Sequence, residues 1–206
     1  MIKLLNILSE IVVQKGPTLQ KIADYVRGGS KGGLDLSGTP IQSLPDGLKV
    51  GGDLFLGGTP IQSLPPGLEV GGSLDLGRTP IQSLPDDLKV RGHLNLSDTP
   101  IQSLPDGLKV RGGLYLGNCT NLKSLPPGLK VGGHLDLYNC KNLKSLPPGL
   151  KVGGHLYLHN CKNLKSLPSG LEVERSLYLG GTPISKKYTE EEIQKMVPGV
   201  IGDILL

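Results

Sequence analysis

The chain has 206 residues and a formal net charge of +4; 37% of its residues are apolar but only 3% aromatic, with no tryptophan and one phenylalanine. Leucine, isoleucine and valine must therefore build the core, and the length suits one sizeable domain or a row of small units sharing a core. No stretch approaches the ~18 consecutive apolar residues of a membrane span, and three cysteines, an odd number, do not suggest a disulfide framework, so a cytoplasmic, reducing location is expected.

The opening, MIKLLNILSEIVVQKG, carries Asn6 and Glu10 inside its apolar run and lacks a strongly basic leader and a small-residue cleavage site. It reads as part of the fold rather than as a secretory signal. Residues 2–13 place apolar groups at helical spacing, and Leu19, Ile22, Ala23 and Val26 repeat the pattern after the Gly16-Pro17 break. A helical N-terminal cap over 1–33 is expected.

From Leu34 the chain repeats itself. An LxL triplet starts at Leu34, Leu54, Leu74, Leu94 and Leu114, 20 residues apart, then at Leu135, Leu156 and Leu177, 21 apart. The early units read LFLGGTPIQSLP and the later ones LDLYNCKNLKSLP, one residue longer. Leu54 and Leu56 share one face of a short strand and Phe55 faces the other way. Pro60 and Pro65 forbid a helix, since each lacks an N–H and fixes φ. Each unit is thus strand, turn, extended proline-containing segment, turn. One coil cannot bury its aliphatic groups alone, but stacked coils can, each leucine meeting its copies at the ~4.8 Å spacing of neighbouring strands. Thr39, Thr59, Thr79 and Thr99, then Cys119, Cys140 and Cys161, are expected to form one inward ladder that Thr182 closes.

The last 22 residues, 185–206, are expected to cap the stack. Thr189 and Glu192 have the spacing of a capping box opening a helix over 189–197. The tail VIGDILL echoes VGGSLDL, which suggests a closing strand at 203–206.

The framework from Leu34 to about Ile184 resembles the leucine-rich repeat family, in its short bacterial form with LPxxL on the back. Leu54, Leu56 and Ile61 fit the family pattern LxxLxLxxNxL. Gly51 stands at its first leucine and Thr59 at its asparagine, a slot that Cys140 fills as in the cysteine-type variant. The resemblance implies an α/β fold leaning to all-β: a single right-handed solenoid of about eight coils over 34–184, one parallel sheet on the concave side, and a helical cap at each end. Some bacterial proteins with similar repeats carry a separate ubiquitin-ligase domain, for which no segment here has the length or the cysteine. Others are repeats alone, delivered into host cells, although no delivery signal is evident in this sequence.

The outward position within the triplet reads Asp35, Phe55, Asp75, Asn95, Tyr115, Asp136, Tyr157 and Tyr178. His93, His134 and His155 share the position before the first leucine, and Tyr138 and His159 stand two after the outward one. Flat rings bury much area at low entropic cost. A partner-binding concave face is therefore expected from Phe55, Tyr115, His134, Asp136, Tyr138, His155, Tyr157, His159 and Tyr178, weighed against the plain preference of aromatics for strands. A zinc site from His134, Asp136 and His155 is disfavoured. No nucleophile stands beside a base, and neither metal, cofactor nor catalytic role is expected.

Charge is segregated. Leu34 to Leu108 holds nine acidic and four basic residues; Lys109 to Lys165 holds nine basic and one acidic. Lys123, Lys144 and Lys165 replace the glutamines of the early units, Lys130 and Lys151 continue the back, and Lys141 and Lys162 stand at the turn. Such a basic stripe meets nucleic acid, anionic lipid or acidic protein, or simply keeps solenoids apart. The expected function is a monomeric, non-enzymatic protein-recognition or scaffold module. The alternatives are an electrostatic adaptor for nucleic acid or anionic membrane, or a structural part of a larger assembly such as a phage particle.

Overall fold

The computed structural model describes residues 16–206, so the helical pattern over 2–13 lies outside the described residues. The chain winds as a β-solenoid of stacked coils with parallel sheets, flanked by two helices, Gly16–Arg27 and Glu190–Met196. The front of the stack is one nine-stranded parallel sheet. It pairs the two-residue strands Leu34–Asp35, Leu54–Phe55, Leu74–Asp75, Leu94–Asn95, Leu114–Tyr115, Leu135–Asp136, Leu156–Tyr157, Leu177–Tyr178 and Ile204–Leu205. Register is residue on residue, Leu135 opposite Leu114 on one side and Leu156 on the other. The 20- to 21-residue change is therefore absorbed in the turns and leaves the ladder intact.

The core is a set of aliphatic columns. Leu54, Leu56, Ile61 and Leu68 are wholly buried, and their counterparts Leu135, Leu137, Leu143 and Leu150 are buried to the same degree. Each such side chain is worth ~1.5–3 kcal/mol of burial, enough in sum to order short coils that carry little regular structure of their own. At the first strand, Leu19 and the buried Ile22, Ala23 and Val26 of helix Gly16–Arg27 pack on the core, and Lys21 Nζ donates to the carbonyl of Asp35. At the last strand, helix Glu190–Met196 opens on a capping box: Thr189 Oγ1 accepts from the Glu192 N–H at 3.3 Å and Glu192 Oε2 accepts from the Thr189 N–H at 2.8 Å.

The expected parallel sheet is the front one; the back of the stack carries strands that the sequence reading does not include. A second row of two-residue strands lies on the back, seven at a Lys-Val or Glu-Val step and the last at Gly199–Val200. It forms a three-stranded sheet from Lys49–Val50, Glu69–Val70 and Lys89–Val90. A five-stranded sheet runs from Lys109–Val110 through Lys130–Val131, Lys151–Val152 and Glu172–Val173 to Gly199–Val200. The alternation is short but regular, the charged residue largely out and the valine buried.

Four of the eight back strands are followed by a glycine that lies close to the preceding coil, but pairing does not require one: Arg91, Glu174 and Ile201 at this place donate to the Val70, Val152 and Val173 carbonyls at 3.1, 3.0 and 2.9 Å. A Cβ at Gly71, Gly132 or Gly153 would lie 2.2–2.3 Å from a backbone oxygen of the preceding coil. Two consecutive coils carry arginine at this place, Arg91 and Arg111, and the back row is broken between Lys89–Val90 and Lys109–Val110. The turn before Lys89 differs too. Gly47, Gly67, Gly107, Gly128, Gly149 and Gly170 all take positive φ, whereas Asp87 in that slot does not. Its carboxylate instead accepts from the Gly67 N–H at 2.7 Å. A groove of about 350 Å³ opens at the break, lined by Leu88, Val90 and Leu108 among the basic side chains of Lys89, Arg91, Lys109 and Arg111.

Candidate functional site

The front sheet turns every second side chain outward, so the residues opposite one another in register form columns on its face. In the central column Tyr115, Asp136, Tyr157, Tyr178 and Leu205 are successive partners. Tyr157 and Tyr178 stack with centroids 4.7 Å apart and planes 18° apart. His134 and His155, one position earlier, stack at 5.0 Å and 19°. The two pairs interlock: His155 lies 5.8 Å from Tyr157 and 5.7 Å from Tyr178. On the far side His159 lies 6.4 Å from Tyr157 and 5.3 Å from Tyr178. Five rings from three coils thus make one contiguous strip, each half-buried. Because neighbouring rings cover one another's faces, the strip presents mainly ring edges, hydroxyls and ring nitrogens outward.

The other residues expected at this site stand apart from the strip. Asp136 interrupts the ring column between Tyr115 and Tyr157 and accepts from the Tyr138 N–H at 2.8 Å. Tyr138 is exposed beside the strip, and Tyr115 pairs with His93 at 5.9 Å. Phe55 is exposed but lies among aspartates, opposite Asp35 and Asp75, away from the rings. Between Phe55 and Tyr115 small residues leave a shallow trough of about 440 Å³ lined by Ser73, Asp75, His93, Asn95, Ser97 and Tyr115.

The position before the first leucine has a structural task that the pattern of residue types does not reveal. Its side chain accepts from the backbone N–H of the same position one coil on. Asp53 Oδ1 accepts from Ser73 N at 2.6 Å, Ser73 Oγ from His93 N at 3.1 Å and His93 Nδ1 from Gly113 N at 2.7 Å. His134 Nδ1 accepts from His155 N at 2.9 Å and His155 Nδ1 from Ser176 N at 3.2 Å. Burial, with the nearby His155, Arg175 and His93, holds the His134 imidazole below its ordinary pKa. Burial likewise pushes the Tyr157 hydroxyl up, helped by Tyr178, Asp136 and Tyr115.

A second ladder flanks the strip. Asn139 Nδ2 donates to Asn118 Oδ1 at 2.7 Å, and Asn118 Nδ2 to Asp98 Oδ1 at 2.9 Å. All three adopt positive φ, as do Arg78 and Asn160 in the same slot. Asparagine and aspartate tolerate this backbone best among residues with side chains. Asp98, Asn118, Asn139 and Asn160, each four residues after the LxL start of its coil, were the available signal for this ladder.

The threonine–cysteine column is inward. Thr59, Thr79 and Thr99 are buried and donate to the carbonyls of Leu56, Leu76 and Leu96; Thr39, at the first coil, is only half-buried. The thiols of Cys119, Cys140 and Cys161 reach the preceding coil instead, donating to Leu96, Leu116 and Leu137 at 3.0, 3.1 and 3.1 Å. Burial raises all three thiol pKa values, that of Cys161 to about 12.

All seven lysines of the expected basic patch, Lys123, Lys130, Lys141, Lys144, Lys151, Lys162 and Lys165, are exposed. They do not share one face. Lys130 and Lys151 stand opposite one another on the back sheet, where Lys151 pairs with Glu172 at 2.7 Å. Lys123 and Lys144 are neighbours on the proline-containing segments, joined by the Lys144 N–H to the Lys123 carbonyl. Lys141 and Lys162 follow Cys140 and Cys161 at the turn. Among the described residues no group of three or more His, Cys, Asp or Glu side chains could hold a metal ion, and no helix is long and apolar enough to cross a membrane. The chain matches no protein-family model and no curated protein.

Proposed function

We propose that the chain is a non-enzymatic recognition module of leucine-rich-repeat type, binding a protein partner through the ring strip of its later coils. The observation that carries this reading is the mutual packing of His134, His155, Tyr157, His159 and Tyr178 on strands already paired to both neighbours. Rings held in place before contact lose little freedom on binding, which leaves more of the contact energy for affinity. Tyrosine edges offer both apolar area and a hydroxyl, the chemistry enriched at binding hot spots. Asp136, Tyr138 and Tyr115 extend the surface as a polar margin.

The test is affinity capture from a cell extract at low and high salt, using the native chain, a Tyr157→Ala/Tyr178→Ala variant and a Lys123→Ala/Lys144→Ala/Lys165→Ala variant, with thermal midpoints confirming that each is folded. The proposal expects a protein retained by the native and lysine-variant chains, little affected by salt, and weakened ~10-fold or more by loss of the two rings. Capture of nucleic acid or anionic vesicles that collapses with salt and with the lysine variant would replace it with the electrostatic reading.

A further inference from the structure

His93, His134 and His155 each use Nδ1 to accept a backbone N–H from the following coil. An N–H can only donate, so Nδ1 carries no proton and the neutral ring bears its hydrogen on Nε2. A proton added at Nδ1 would turn each acceptor into a donor facing a donor. In the stacked pair, 5.0 Å apart, it would also set two like charges against each other. We infer that these three histidines form a proton-sensitive column, in which His134 and His155 hold the ring strip in place while neutral and loosen it when protonated. The inference rests on the strip being the contact surface proposed above, and supplies its regulation.

The surroundings give little to offset the charge. His134 faces His155 and Tyr157, with Arg175 and His93 further contributing positive potential. His155 faces His134, Tyr157 and Tyr178. His93 faces Tyr115 and shares the trough with Asp75 and Asn95. Asp136 stands in the neighbouring ring column, one coil before His155 as Asp75 is before His93, and accepts from the Tyr138 N–H. The sign follows from His134, whose folded pKa is depressed: the unfolded chain takes up the proton first. Its contribution to stability is complete above the unfolded value of ~6.5 and falls as pH drops through that value. Asp53 and Ser73 accept the same kind of bond in the same column with no imidazole, and serve as internal controls.

The experiment is NMR titration of the full chain between about pH 7.5 and pH 5, the window of histidine ionisation. The amide protons of Gly113, His155 and Ser176 are expected to move upfield with the midpoints of His93, His134 and His155, the Tyr157 and Tyr178 ring signals following the last two. The Ser73 amide should not follow them. In His134→Asn/His155→Asn the amide oxygen of asparagine can stand where Nδ1 stood, so the bonds persist and the response of the His155 and Ser176 amides disappears. Should that variant fold poorly, His134→Asn alone poses the same question at the His155 amide. Amides that stay fixed while the imidazoles titrate, or a response that survives the asparagine substitutions, would overturn the inference. No partner is in the tube: a negative result leaves the binding reading standing, and failed capture leaves the titration standing.

Discussion

Cys140 is a small apolar group in a turn, closed off by its neighbours above and below. Its thiol donates to the Leu116 carbonyl and its pKa is raised by burial and by Cys119 and Cys161 on either side. A thiolate is the reactive form, so the native chain should react with an alkylating reagent at pH 8 ~100-fold or more slowly than an unfolded one. Labelling read by mass spectrometry at native and denaturing urea concentrations checks this; rapid labelling of the folded chain would contradict it. Cys140→Ala should cost about 1–2 kcal/mol, as expected for losing one buried donor with a little volume. The inward direction of this column was legible from its spacing in the repeat. The carbonyl each group chooses was not: threonine serves its own coil and cysteine the one before, a difference of side-chain reach rather than of pattern.

At the scale of elements, the break in the back row coincides with particular residues. Arg111 follows the first strand beyond it, and Asp87, before the last strand ahead of it, stands where the other coils use a left-handed glycine, while Arg91 still donates to the Val70 carbonyl at 3.1 Å. Arg111→Gly should let the two coils close, slowing hydrogen exchange of the amide at position 111 to the level of Gly132, whose N–H donates to the Val110 carbonyl at 2.9 Å. Unchanged exchange there would show that the break has another origin. These departures from the repeat were visible in the sequence, but the back strands were not inferred from it. Two residues carry no periodicity. The front strands were legible because two leucines flank each outward residue, and repetition made that pattern unmistakable.

For the whole molecule, stability should accumulate coil by coil through nearest-neighbour contacts, as in other stacked repeats, with the front sheet and the Gly112–Gly92 and Gln102–Gln82 backbone bonds spanning the break in the back row. The same stacking turns scattered sequence positions into a surface. That the rings share one face was legible from the alignment of the repeats. Which of them touch was not, since it depends on rotamers and on Asp136 interrupting the column, and so Phe55 and Tyr138 were grouped with rings they do not meet. The most direct test of the account is a set of nuclear Overhauser contacts in solution. Leu135 and Leu156 methyls should contact each other, and the Tyr157 ring should contact Tyr178, His155 and His159 while staying clear of the inward Leu137 and Leu158 methyls. A Leu135 remote from Leu156, or a Tyr157 ring among the core leucines, would contradict it.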